Sequence, residues 1–193
     1  MSDNIPLINS IEELANNFDH MLEALSALQQ LGELRTDNTS EIELVTSALG
    51  ILHRCCRATT CTAVLLQPSV IAATTYTVSE VIAIDSSGAV HMRAATPVEM
   101  LFLADTMNSG TMQHCHDCST LGNDCPHSQF EKTITAVPLF KSNKLVGALS
   151  IGHSTIMTTS HCDSNLLKIF ASFLGHMLNC RSLQQQLQTF RQR

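Results

Sequence analysis

The sequence predicts an α+β domain, a central antiparallel sheet flanked by helices, with a long helix at each end. Two long segments at either end of the chain repeat apolar residues at steps of three and four. Between them lie short β-branched runs separated by turn residues. One pair of these, Thr133 to Phe140 and Leu145 to Gly152, forms an obvious hairpin across the polar connection Lys141-Ser142-Asn143-Lys144.

The first helix is expected over about residues 10 to 34, on the seam Ile11, Leu14, Phe18, Met21, Leu25 and Leu28, with Ser10 and Glu13 at capping-box spacing. Thr36-Asp37-Asn38-Thr39 breaks it, and Ser40 with Glu43 opens a second helix that should end near Arg57. Strands are expected over Thr60 to Leu66, Ile71 to Val78, Val81 to Ile84 and Ala89 to Ala95, the last two joined by the turn Asp85-Ser86-Ser87-Gly88. Thr96 as N-cap, Pro97 at the first helical position and Gly110 beyond the end frame a helix over Val98 to about Met107. Residues 113 to 131 show no periodicity and read as a long loop. The final helix starts near Asp163 and carries Leu166, Phe170, Phe173, Met177, Cys180, Leu183, Leu187 and Phe190 as one apolar series. Its tail is polar on the other face and reads as a stalk seeking a partner helix.

Composition limits the function. The chain has 193 residues, enough for one good core, with 44% hydrophobic and 15% charged residues and a mean hydropathy of +0.10. A net charge of −6 without a basic run argues against direct nucleic-acid binding. No uninterrupted apolar stretch is long enough to span a membrane and the start Met1-Ser2-Asp3-Asn4 lacks signal-peptide order, so a cytoplasmic location with reduced thiols is expected for the eight cysteines.

The order of elements and the hairpin Ile134 to Gly152, with its Val137-Pro138-Leu139 core, short polar turn and Val146-Gly147-Ala148-Leu149, resemble the GAF family over roughly residues 40 to 182. The resemblance implies a GAF/PAS-like sheet and a small-molecule pocket on the side of the central helix. It also implies signalling by a homodimer through its terminal helices. Residues 1–35 would be the N-terminal dimerisation helix, 36–182 the GAF domain and 183–193 a C-terminal signalling extension leading to an output domain, such as a diguanylate cyclase or histidine kinase, or to a partner signalling protein.

The chemistry is concentrated in His114-Cys115-His116-Asp117-Cys118 and Cys125-Pro126-His127. A C-x2-C pair lets two thiolates reach one ion, and a further Cys and His can close a tetrahedral set. Cys115, Cys118, Cys125, His127 and His116 are therefore candidate ligands for zinc, iron or an iron–sulfur cluster, the last needing a fourth ligand that is either a cysteine from elsewhere, with Cys162 as the candidate, or a histidine in its place. The same C-x2-C pair can instead act as a redox switch, or the site can take an unidentified small ligand without metal. Cys55, Cys56, Cys61 and Cys180 read as small core hydrophobes, and His53, His91, His153 and His176 as ordinary surface or hydrogen-bonded histidines.

No P-loop, G-x-G-x-x-G, G-x-S-x-G or H-E-x-x-H occurs, which favours a sensor over an enzyme. Two alternatives follow from the resemblance. One is a thiol enzyme of the free methionine-R-sulfoxide reductase type, whose Cys-Asp motif Cys125-Pro126-His127 does not match. The other is a bilin-binding photosensor, for which Cys115-His116 stands far from the hairpin and the aromatics are few.

Overall fold

A computed structural model describes residues 5–35, 39–67, 77–94, 97–117, 132–154 and 161–191. In chain order the elements are α1 (Ile5–Gly32), α2 (Glu41–Cys56), β1 (Thr60–Gln67), β2 (Thr77–Ile84), β3 (Val90–Arg93), α3 (Pro97–Ser109), β4 (Gln113–Cys115), β5 (Thr133–Lys141), β6 (Lys144–His153) and α4 (His161–Arg191). The strands form one antiparallel sheet in the order β3-β2-β1-β6-β5-β4. Most of the expected strand Ile71 to Val78, the N-cap Thr96 and residues 118–131 lie outside the described residues.

Local chemistry explains the element ends. Ser40 and Glu43 form the expected capping box: the Ser40 hydroxyl accepts from the Glu43 N–H at 3.1 Å, and the Ser40 N–H donates to Glu43 Oε2 at 2.7 Å. Arg57 closes α2 in the left-handed conformation, its N–H donating to the His53 carbonyl. In the turn after β2, the Asp85 carboxylate accepts from the backbone of Ser87 and Ala89 and meets His91 at 2.7 Å, and Gly88 supplies the positive φ.

Four expectations change. The β5–β6 connection is a two-residue turn rather than a four-residue one: Ser142 and Asn143 both have positive φ, and Lys141 already pairs with Lys144. This type I′ geometry matches the twist of the strands it joins. The run expected at Val81 to Ile84 is the second half of one strand beginning at Thr77, because a register shift between Leu65 and Leu66 lets β1 keep its pairing past Glu80. A short strand, β4, lies within the expected loop, held by pairing to β5 rather than by its own propensity. The fourth change concerns α4.

The sheet separates two layers. On one face α1, α2 and α4 pack against each other and against the sheet, with Leu44, Leu49, Leu52, Phe170 and Leu174 buried against Ile82, Val137, Leu139, Leu149 and Ile151. On the other face α3 packs on β5 and β6, with Leu103 and Met107 against Val64, Val81, Ala136 and Ala148. Gly175 sets the position of α4, because a Cβ there would fall on the Phe140 carbonyl oxygen. Lys141 reaches Glu41 at 2.8 Å, and Arg181 donates to the Thr39 carbonyl, tying the hairpin and α4 to the start of α2.

The expected single apolar series of α4 divides into two faces. Leu166, Phe170 and Met177 are buried in the domain, whereas Phe173, Leu183, Leu187 and Phe190 are exposed. A 3.5-residue series drifts about 20° per heptad around a 3.6-residue helix, and α4 also outruns the sheet beyond Leu178, so its later members leave the core. Likewise α1 buries Ala27 and Leu31 but exposes Leu14, Phe18, Met21 and Leu25. No helix among the described residues is long and apolar enough to cross a membrane.

Candidate functional site

The sheet face toward α3 mixes apolar residues, Val64, Val81 and Ile134, with small and hydroxyl ones, Ala136, Ala148, Thr62 and Ser150. Strand alternation puts Thr62 and Ser150 on this side, since Ala63 and Leu149 belong to the opposite core. Pairing then lines up one transverse row across five strands: Ala83, Thr62, Ser150, Ala136 and Gln113. The adjacent row is Thr60, Gly152, Ile134 and Cys115. Thr62 is 2% exposed and Ser150 is 4% exposed, and the Thr62 hydroxyl has no hydrogen-bond partner among the described residues. A buried hydroxyl left unpaired costs about 1–3 kcal/mol. Such a group is retained where a ligand or water supplies the missing partner.

Short side chains explain why space can exist here. Ala136, Ala148 and Gly152 are the short residues of this face, and Leu103 and Met107 of α3 pack on the row of Val64, Val81 and Ala148 and on Ala136.

The Cys/His segment begins at the edge of this face. Cys115 pairs with Ile134 in β4, half-buried with a free thiol, and its position in the strand turns it toward the α3 side. His114 and His116 point the other way. Nδ1 of His114 meets the Thr135 hydroxyl at 2.6 Å, its Nε2 meets His116 Nδ1 at 3.2 Å, and the two rings stand edge to face. Partial burial, reinforced by His116, holds His114 below the usual imidazole range, so it is neutral at pH 7 and one ring nitrogen keeps a lone pair.

The expected ligands are thus placed as follows. His116 is brought together with His114, a residue the sequence reading did not select, while Cys115 sits on the opposite side of the strand. Cys118, Cys125 and His127 lie outside the described residues, as does the side chain of Cys162. Among the described residues no three His, Cys, Asp or Glu side chains converge as a metal group. The donors that are placed, a thiol and two imidazoles, are of the type that suits zinc and iron.

Thr62 and Ser150 were also missed by sequence reading. Their signal was a polar residue at alternate positions of an otherwise apolar strand, which normally marks a solvent-facing side. Here both side chains are buried. A separate groove of about 590 Å³ lies on the other face, between α4 and the hairpin, lined by residues that include Phe140, Asn143, Lys168, Ser172 and His176. It is open to solvent and does not contain the unpaired Thr62 hydroxyl.

No family model matches the sequence, and no curated protein matches it. Solved structures do. A free methionine-R-sulfoxide reductase from Neisseria meningitidis, in complex with its substrate, matches with a TM-score of 0.60 at 13% identity over 86% of this chain and 90% of that one. A phycoerythrobilin-bound GAF domain from a cyanobacterial phytochrome matches with a TM-score of 0.59 at 13% identity over 86% of this chain and 99% of that one. The GAF domain from a phosphoenolpyruvate-protein phosphotransferase of Coxiella burnetii matches with a TM-score of 0.58 at 10% identity over 88% of this chain and 98% of that one. At such identities the likeness is one of fold, and it spans a GAF domain of a phosphotransferase, a bilin-bound GAF domain and a reductase. With its six-stranded antiparallel sheet between α3 and the layer of α1, α2 and α4, this chain has the GAF-domain fold.

Proposed function

We propose that the chain is a cytoplasmic sensory domain that binds a small ligand on the α3 face of the sheet and signals as a homodimer through α1 and α4 to an output domain or partner. The unpaired, buried Thr62 hydroxyl among small residues carries this reading, because a ligand polar group there would complete it. Cys115 stands on the α3 side of edge strand β4, and we read Cys115, Cys118, Cys125, His127 and His116 as the residues of a zinc, iron or iron–sulfur centre or of a redox-active thiol pair. A change of ligation or oxidation state there biases the packing of the terminal helices.

Metal and acid-labile sulfide analysis with an optical spectrum, on protein purified without air, tests the site. Stoichiometric zinc, iron or sulfide that is lost in Cys118→Ser upholds a metal centre. Metal-free protein whose Cys115 and Cys118 oxidise reversibly upholds the thiol switch, and metal-free protein with inert thiols sinks both.

An enzymatic reading draws support from the likeness to free methionine-R-sulfoxide reductase and from the placement of Cys115 on the α3 side. In that reaction two protein thiols become a disulfide while the sulfoxide becomes a thioether and water. Turnover of free methionine-R-sulfoxide with a dithiol reductant, abolished by Cys115→Ser, would establish it. Absence of turnover leaves the sensor.

A further inference from the structure

The exposed face of α4 repeats with a strict 3.5-residue period through Phe173, His176, Cys180, Leu183, Leu187 and Phe190. This is a coiled-coil seam. Its four large apolar members are exposed, Phe190 by 74%. The C-terminal end of α1 meets it, since the Phe173 ring comes near the position a Cβ would take at Gly32. Ten large apolar side chains are exposed on the two helices. If each loses on the order of 80 Å² on association, about 800 Å² per partner is buried, the size of a standard specific interface. A seam of this period fits a second copy of itself, and twofold pairing is the commonest way proteins satisfy such a face.

Two members of the seam are not apolar. His176 is exposed and Cys180 is a half-buried free thiol, one helical turn apart on the same face, with Cys180 Sγ 3.6 Å from His176 Nε2. Zinc–nitrogen and zinc–sulfur bonds at tetrahedral angles place the two donor atoms about 3.5 Å apart. The pair already has the spacing of two corners of a zinc site. One chain supplies only these two corners, and a twofold axis along the seam brings the same two from the second copy.

We propose that His176 and Cys180 of two copies bind one zinc ion in a Cys2His2 site at the α4–α4 interface, so that zinc controls dimerisation. Each Cys180 thiol releases its proton to solvent when it becomes a thiolate ligand, and each His176 binds through its neutral ring. The apolar layers at Phe173 and Leu183 exclude water on both sides of the metal. The site rests on the homodimer proposed above and is independent of the ligand on the α3 face.

The test is sedimentation equilibrium of the reduced full chain with zinc chloride or with a chelator, alongside zinc content. The variant C115S/C118S/C125S removes competition from the cysteines of the Cys/His segment. We expect this variant to hold one zinc per two chains, with at least a tenfold weaker dimer after chelation. His176→Ala and Cys180→Ser, added separately, should each remove that zinc and its effect on dimerisation while circular dichroism stays unchanged. Cobalt(II) in place of zinc should show a thiolate charge-transfer band that Cys180→Ser abolishes. A dimer that forms equally well without zinc upholds the dimer reading and overturns the metal site. A chain that stays monomeric with zinc overturns both, and zinc that remains in Cys180→Ser at half per chain overturns the assignment of its ligands.

Discussion

Leu149 and Ser150 are neighbours on β6, yet they face different chemistries. Leu149 points into the layer of α1, α2 and α4 and is fully buried among aliphatic side chains. Ser150 points toward α3, beside Thr62 and Ala136, among hydroxyls and short side chains. The apolar face holds the larger buried cluster, whereas the α3 face holds a smaller one and, among the described residues, leaves the Thr62 hydroxyl unpaired. A sheet can carry a binding site at little risk to its fold when one face holds most of the stability.

Substitutions at adjacent positions would sharpen that contrast. Leu149→Ala should cost about 2–5 kcal/mol through the cavity it leaves, whereas Ser150→Ala should change stability by no more than about 1 kcal/mol; urea unfolding of the two variants measures the gap, and equal losses would show that both faces are ordinary core. Gly175→Ala presses a methyl group against the Phe140 carbonyl and should destabilise by about 1–3 kcal/mol. Its thermal unfolding midpoint should fall by several degrees unless α4 can shift on the sheet. Thr62→Val removes the unpaired hydroxyl and should leave stability unchanged or raise it by about 1 kcal/mol, while weakening any ligand bound on the α3 face. A loss of stability would mean that the hydroxyl has a partner within the fold.

The smallest expected effect is electrostatic. Because the His114 pKa is lowered in the folded protein, the folded state holds the neutral ring more strongly than the unfolded chain does. Its contribution is present above about pH 6.5, the unfolded value, and is lost as pH falls through and below it. Denaturation followed from pH 8 to 5 should show this loss in the parent protein and less of it in His114→Gln.

Much of the fold was legible from local signals. The capping box at Ser40 and Glu43, Pro97 opening α3 and the turn ending in Gly88 all act within a few residues, so their structure follows from the residues themselves. β4 was not legible, because three residues have no strand preference worth naming and Gln113–Cys115 is held by its pairing to β5. The candidate site was legible in part. The Cys/His cluster is apparent in composition, but the division of Cys115 from His114 and His116 onto opposite sides depends on that short strand. Reading Cys180 and His176 as ordinary residues also overlooked their shared helical face, which becomes significant only when that face is exposed.

Periodicity alone determined that the chain carries two long amphipathic helices around a set of strands, because apolar spacing states which side of an element avoids water. It does not say what covers that side. Tertiary structure decided that Thr62 and Ser150 are buried rather than wet, and that Phe173, Leu183 and Leu187 are exposed rather than core. The reason is that burial belongs to the whole fold: Thr62 and Ser150 pair on the two central strands of the sheet, and α4 runs past the end of its other face.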